Sequence, residues 1–278
     1  MENTEDNFVG VLEDYVKGER EALDKIIELL SSENDEESSS FFEFLVEIGE
    51  PVVKPLIEAL AVSRNQSSLP LIEALGEIKD PRAIYIIAKK LKDSDWRVRS
   101  GAALALGKIK HPKALKVLTK VLKDKNFAVR RDAARALGEI KSREATDVLI
   151  KALRDKNWQV RSTAAWALGE IKPPEAVIPL IKKLKDKDRE VVIKTIDALR
   201  AIKDPRATQA LLNALNNKGE IRYKAVWALG EIKDPTAVES LTEALKDPDW
   251  RVQKKAEWAL KRIAGEGEEE EREQDIAS

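Results

Sequence analysis

The chain has 278 residues, of which 43% are hydrophobic and 36% charged, so it is long enough to bury a sizeable core. It contains no cysteine, which excludes a disulfide framework, a thiolate metal site and a cysteine nucleophile. The formal net charge of −1 hides an asymmetry: residues 1–50 hold 16 acidic and 3 basic side chains, residues 265–278 hold 7 and 1, and the body between them holds 27 and 45, a net of +18.

Aromatic residues make up only 5%, and the apolar content is carried by Ala, Leu, Ile and Val. Charge above the ~25% of average soluble domains suits amphipathic helices with Lys, Arg and Glu on their wet faces. A single Met beside abundant Lys and Glu leans toward a thermophile-like composition. The opening MENTEDNF lacks the basic and apolar segments of a signal peptide, and no apolar run approaches the ~20 residues that span a bilayer. The expected compartment is the cytoplasm, with no membrane contact and a monomeric chain.

From the N-terminus, residues 5–17 read as an extra helix and 19–30 as the first helix of a pair. SSENDEESSS (31–40) reads as a polar loop before FFEFLVEI, which puts Phe41 and Phe42 where later units carry Ala-Ala. A terminal repeat needs one polar outer face, so residues 1–64 are expected to be acidic capping helices with a first, divergent repeat.

A regular period follows over 65–264. The glycines of successive ALG triplets, Gly76, Gly107, Gly138 and Gly169, are 31 residues apart, and the register continues through Arg200, Gly230 and Lys261. Extended back to Val46, it gives eight copies. The first helix of each unit opens at a proline, as in DPRAIYIIAKKLKD (80–93), where proline costs no hydrogen bond. The second follows a turn, as in DWRVRSGAALALGKI (95–109), with Asp95, Asn126, Asn157, Asp188 and Asp249 in the N-cap slot. Val98, Ala102, Ala105, Leu106 and Ile109 form its core stripe. Such a pair cannot bury its own stripe, so units must stack. The lysines at 79, 110, 141, 172, 203 and 233 fall in the turns between units as a solvated edge, and Gly107, Gly138 and Gly169 with the Ala four residues before each favour close helix approach.

The unit at 188–202 departs from the pattern, with Val192, Ile196 and Arg200 replacing Arg, Ala and Gly, and the next unit is one residue short. This marks either a local change of curvature or ordinary repeat drift. The terminal GEGEEEEREQDIAS (265–278) has the composition of a disordered tail.

The unit DxxVRxxAAxALGxIKDPxAxxxLIxxLKD resembles the PBS-lyase-type HEAT-like repeats, strongly over 65–264 and more weakly over 19–64. That family includes phycobilin lyase subunits, deoxyhypusine hydroxylases, many archaeal proteins of unassigned role and artificial helical-repeat scaffolds. The resemblance implies an all-α, right-handed α-solenoid of about eight helix pairs, its second helices lining a concave face. It also implies a structural ladder in which Asp93, Asp124 and Asp155, each six residues before Arg99, Arg130 and Arg161, join adjacent turns. The 34-residue period of tetratricopeptide repeats and the T-P-L-H signature of ankyrin repeats are absent.

Enzymatic roles do not carry over. Deoxyhypusine hydroxylase builds an iron site from His-Glu pairs, whereas His111 is the one histidine here and stands in a turn slot where sister units have Asp. No Gly-rich phosphate loop, HExxH or serine elbow occurs. The chain is therefore expected to be non-catalytic and to need no cofactor or metal.

Counted from the Gly slot, positions −11, −7, −3 and +1 are four apart and form one line on the second helix, opposite the core stripe. All six tryptophans fall on it: Trp96, Trp158 and Trp250 at −11, and Trp166, Trp227 and Trp258 at −3. Position −3, placed furthest from the core, is the stronger candidate for exposure. Phe127, Arg131, Tyr223, Lys254, Leu104 and Arg135 share the line, and Arg97 flanks it. Trp and Arg dominate binding hot spots. These thirteen residues are the candidate site of a protein- or peptide-binding scaffold, the mixed signs of Arg97, Arg131, Arg135 and Lys254 beside Asp132, Glu170, Asp197 and Glu231 favouring protein over phosphate. The alternatives are a nucleic-acid binder using the basic body and a lyase- or hydroxylase-type enzyme subunit, the latter implied by family resemblance alone.

Overall fold

A computed structural model describes residues 2–18, 21–32, 35–63 and 67–266. These form seventeen α-helices, with no strand among the described residues. In order they are α1 (Glu2–Lys17), α2 (Glu21–Leu30), α3 (Asp35–Ile48), α4 (Val53–Val62), α5 (Ser68–Ile78), α6 (Ile84–Lys90), α7 (Trp96–Ile109), α8 (Leu115–Val121) and α9 (Phe127–Ile140). There follow α10 (Thr146–Ala152), α11 (Trp158–Ile171), α12 (Val177–Lys183), α13 (Arg189–Ile202), α14 (Thr208–Ala214), α15 (Glu220–Ile232), α16 (Val238–Ala244) and α17 (Trp250–Ala264). The chain divides into two compact units, Met1–Ser142 and Arg143–Ser278, each a stack of helix pairs in the manner of an α-solenoid.

One local program recurs. Asp80 accepts the Arg82 N–H at 2.8 Å, and the Ala83 N–H returns to the Asp80 carbonyl at 3.1 Å. These bonds fix a 3₁₀ turn over Pro81–Ala83 before the seven residues of α6. The first helix is therefore a tight turn plus two α-turns rather than one continuous helix over 80–93. In the following loop Asp93 accepts the Asp95 N–H at 2.9 Å, and Asp95 caps α7 by accepting the Arg97 N–H at 2.9 Å. Asn126, Asn157, Asp188 and Asp249 cap their helices in the same way. The solitary His111 takes the corresponding place before Pro112, its Nδ1 accepting the Lys113 N–H at 3.1 Å.

The lysine column ends these helices. Lys79, Lys110, Lys141, Lys172, Lys203 and Lys233 are C-caps with φ between 52° and 60°, the left-handed region that favours glycine. Each holds a conformation costing an L-residue about 1 kcal/mol.

Stacking is set by the glycine slot. A Cβ on Gly76 would stand 2.9 Å from the Cα of Ala105, one on Gly107 2.8 Å from that of Ala136, and one on Gly169 2.9 Å from that of Ala198. The residue facing each glycine is thus the alanine at −2 of the next unit. The ladder lies beside this seam: Arg99 binds Asp124 through Nε at 2.7 Å and Nη2 at 2.9 Å, and donates from Nη1 to the carbonyls of Asp93 and Ser94. In the second unit Arg161 meets Asp186 likewise, and Arg222 meets Asp247 through Nη1 while its Nε donates to the Asn217 carbonyl.

At the N-terminus the extra helix is present and begins earlier than its pattern suggests, at Glu2. Phe8 from α1 packs on Phe41 and Phe44 of α3, ring centroids 4.8 and 5.5 Å apart. The polar loop expected over 31–40 is largely helix, since α3 starts at Asp35. Acidic residues at a helix N-terminus suit its dipole, and the Ser38 hydroxyl donates to the Leu30 carbonyl at 3.0 Å, so polar composition concealed a helix start. Of the expected disordered tail, Gly265 (φ 83°) caps α17, and residues 267–278 lie outside the described residues.

The irregular unit keeps its frame. α13 has its full fourteen residues, its Asp188 cap and its Lys203 terminus. The interface chemistry changes: Val192 and Ile196 are buried apolar residues, and the ladder position 25 residues after Val192 is the exposed Asn217, so both halves of that rung are absent. Gly219 (φ 61°) replaces the capping side chain of α15.

Candidate partner-binding face

In the first unit, the first residues of α7 and α9 after their caps, Trp96 and Phe127, are 42% and 40% exposed. Arg97 is exposed and paired with Asp95 at 3.0 Å. One turn further on, Ser100 is buried and donates to Asp132, a carboxylate only 3% exposed that also takes Arg131 Nε at 2.7 Å. Leu104 is half-buried, and Arg135 is exposed with its Nε on Glu139 at 3.0 Å.

In the second unit, Trp158 and Trp250 occupy the same post-cap position, 42% and 69% exposed. Lys254 is exposed, 3.7 Å from Glu257. Trp166, Tyr223, Trp227 and Trp258 are half-buried. The rings at −3 are therefore less exposed than those just past the caps, although Arg135 at the same position is exposed. Trp227 and Trp258 lie against the preceding second helix, Trp227 under Arg200 and Trp258 over Gly230, while the rings just past the caps stay exposed. Trp258 shows the cause: its Cζ3 occupies the space a Cβ on Gly230 would need, 2.6 Å away.

The half-buried rings of α15 and α17 gather cations. The guanidinium of Arg200, in the glycine slot of α13, lies 4.0 Å from the Trp227 ring centroid. The Lys255 ammonium is 4.9 Å from Trp227, 4.6 Å from Trp258 and 5.9 Å from Tyr223, and Arg262 is 5.3 Å from Trp258. One carboxylate, Glu231, stands among them, 2.5 Å from Lys203 and 4.0 Å from Arg262. Burial pushes the Lys255 ammonium down, Glu231 opposes this, and Arg200 adds to it. Burial pushes Glu231 up, but Lys203, Arg262 and Arg200 outweigh it and hold the carboxyl below its usual range.

Neither Arg200 nor Lys255 carries a sequence signal for this placement. Arg200 was visible only as an irregular glycine slot, and Lys255 sits one residue off the aromatic line, where helical spacing gives no sign that its ammonium turns toward the rings.

Ser63, Ser68 and Lys90 form the nearest approach to a hydroxyl–amine constellation. Lys90 Nζ donates to Ser68 Oγ and to the Ser63 carbonyl, each at 2.9 Å, and Ser68 is fully buried, so the group ties the end of α4 and the start of α5 to α6. Among the described residues no three His, Cys, Asp or Glu side chains are placed to hold a metal ion, and no helix is long and apolar enough to cross a membrane.

The family model described as HEAT repeats matches in overlapping segments at residues 70–133, 88–160, 117–191, 146–220 and 217–273. Among solved structures, the Escherichia coli protein YibA is 27% identical, with a TM-score of 0.66, covering 86% of this chain and 92% of that one. An engineered protein is 26% identical at a TM-score of 0.54, covering 87% and 78%. The complex of CpcE and CpcF of phycocyanin lyase from a Nostoc species is 21% identical at a TM-score of 0.47, covering 88% and 94%. No curated protein matches the chain.

Proposed function

The chain belongs to the HEAT-repeat family, and from that premise we propose that it is a non-catalytic scaffold that binds a protein or peptide along the second-helix faces of its repeats. The observation that carries this reading is the recurrence of a large exposed ring at one repeat position, Trp96, Phe127, Trp158 and Trp250, on a surface otherwise rich in Lys and Glu. Stacking does not require a ring there, since Arg189 fills the same position on α13 and Gly219 precedes α15. Rings that are exposed yet fixed at a rigid helix start bury much area on binding while ordering few torsions. The cations of the same face, Arg97, Arg131 and Arg135, each have a carboxylate of their own, which reduces the free positive charge available to a phosphate backbone.

Affinity capture from native lysate tests this, comparing the wild type with Trp96→Ser/Trp158→Ser/Trp250→Ser in the full chain. Loss of the same specific partners from the variant supports the reading, and recovery of identical partners with both overturns it.

A second reading, polyanion binding, is favoured by an open hollow of about 370 Å³ in the second unit. Arg154, Arg161, Lys182, Lys183, Lys185 and Lys187 line it beside Asp155 and Asp186. Salt-dependent retention on heparin or DNA, abolished by Lys182→Gln/Lys185→Gln/Lys187→Gln and indifferent to the ring substitutions, would select it.

A further inference from the structure

The partner-binding reading gives the face but not the chemistry of what it takes. Among the described residues, neither Arg200 nor Lys255 has a carboxylate within ion-pair distance, and the buried Nε of Arg200 has no hydrogen-bond acceptor. Both cations nevertheless lie over one indole, Trp227, at 4.0 and 4.9 Å. The half-buried Arg131 and Arg222 are matched, by Asp132 and Asp247. Two like charges sharing a ring, one of them short of an acceptor, form an arrangement that an anion completes.

We propose that Arg200, Lys255 and the rings of Trp227 and Trp258 form a carboxylate-binding site that takes a Glu or Asp side chain of an acidic peptide segment. The cluster already binds one carboxylate, that of Glu231, held by Lys203 and near Arg262. Glu231 is taken up by Lys203, while Arg200 and Lys255 have no carboxylate of their own among the described residues, so charge remains for a second. The resident Glu231 also disfavours a dianion relative to a singly charged carboxylate, because each added negative charge meets its field. The flanking rings supply apolar contact to the methylenes of an acidic side chain, a surface that a bare inorganic ion cannot use. The assignment rests on the partner-binding reading and narrows it to acidic partners.

The test follows the indole N–H signals of the six tryptophans by NMR while capped tetraglutamate is added to the full chain at constant ionic strength. The expected result is a saturable shift confined to the Trp227 and Trp258 signals. Arg200→Gln/Lys255→Gln weakens the apparent affinity at least tenfold, and Arg200→Lys retains most of it. Circular dichroism of each variant confirms that the helices are intact. The proposal is overturned if all six signals move together, if the double variant binds as the wild type does, or if inorganic phosphate binds equally well. It is also overturned if Glu268, Glu269, Glu270 and Glu271 changed together to Gln shift the same two signals without peptide, because the chain's own end would then be the occupant. If tetraglutamate fails while the exposed-ring variant still loses its partners, the carboxylate site is wrong and the scaffold reading stands.

Discussion

Arg161 on α11 closes a two-pronged bridge to Asp186 in the loop before α13, Nε to Oδ2 at 2.9 Å and Nη2 to Oδ1 at 2.7 Å, with both side chains almost fully buried. Burial pushes the Asp186 carboxyl up, but hydrogen bonds from Arg161, the Asp188 N–H and Lys183 outweigh it and hold it at about 2. A carboxyl whose pKa is lower in the folded chain stabilises that chain above its ordinary value of 3.8, and the contribution is lost as pH falls toward 2. The second unit should therefore weaken on acidification from about pH 4 to pH 2, and Asp186→Asn should flatten that dependence in urea titrations at several pH values. Arg161→Ala, which strands a buried carboxylate, should cost about 3 kcal/mol at neutral pH.

Two glycine-to-alanine changes in the first unit should have opposite outcomes. At Gly107 the new methyl meets the backbone of Ala136 at 2.8 Å, which cannot give way, so about 2 kcal/mol of destabilisation is expected. At Gly101 it meets only the tip of Leu69 at 3.0 Å, and the gain in helix propensity should leave the protein equal or up to about 1 kcal/mol more stable. Chemical denaturation of the two variants side by side decides this.

The left-handed lysine caps give a third expectation. Lys110→Gly removes a side chain from a residue at φ 52° and should raise stability by about 0.5 kcal/mol, whereas Lys110→Val should lower it. Thermal melts of both variants are the measure.

The ring positions should separate energetically. Trp250→Ser, at an exposed helix start, should stay within about 0.5 kcal/mol of wild type. Trp258→Ala, which vacates the space over Gly230, should lose about 2 kcal/mol.

Much of this was legible from the repeat itself. Pro81 and Asp95 announce helix starts through local hydrogen bonding, and the 31-residue spacing of Gly76, Gly107, Gly138 and Gly169 fixes the units, because both effects act within one repeat. What a side chain does toward the next repeat was less legible. Helical spacing placed Trp166, Trp227 and Trp258 on the wet side, but stacking turned them into half-buried contacts, and the rings left exposed are those just past the caps. Arg200 reads only as an irregular glycine slot, a sign of changed curvature or of drift, because its contact is with Trp227, 27 residues later. The α3 start at Asp35 was hidden by a composition that suits a loop and a helix N-terminus equally well.

The missing rung at Val192 and Asn217 bears on how such an array diverges. A repeat carrying Arg leaves an unmatched cation if the following loop lacks Asp, and a loop carrying Asp leaves an unmatched anion if the preceding repeat lacks Arg. Val192 and Asn217 are therefore compatible only as successive neighbours, like a key cut to one lock. Copies of this protein in which the Val192 repeat is moved away from the Asn217 loop would mismatch at the new junctions. The place of that one repeat in the order is thus itself part of the inherited information, written in a pair that straddles a boundary.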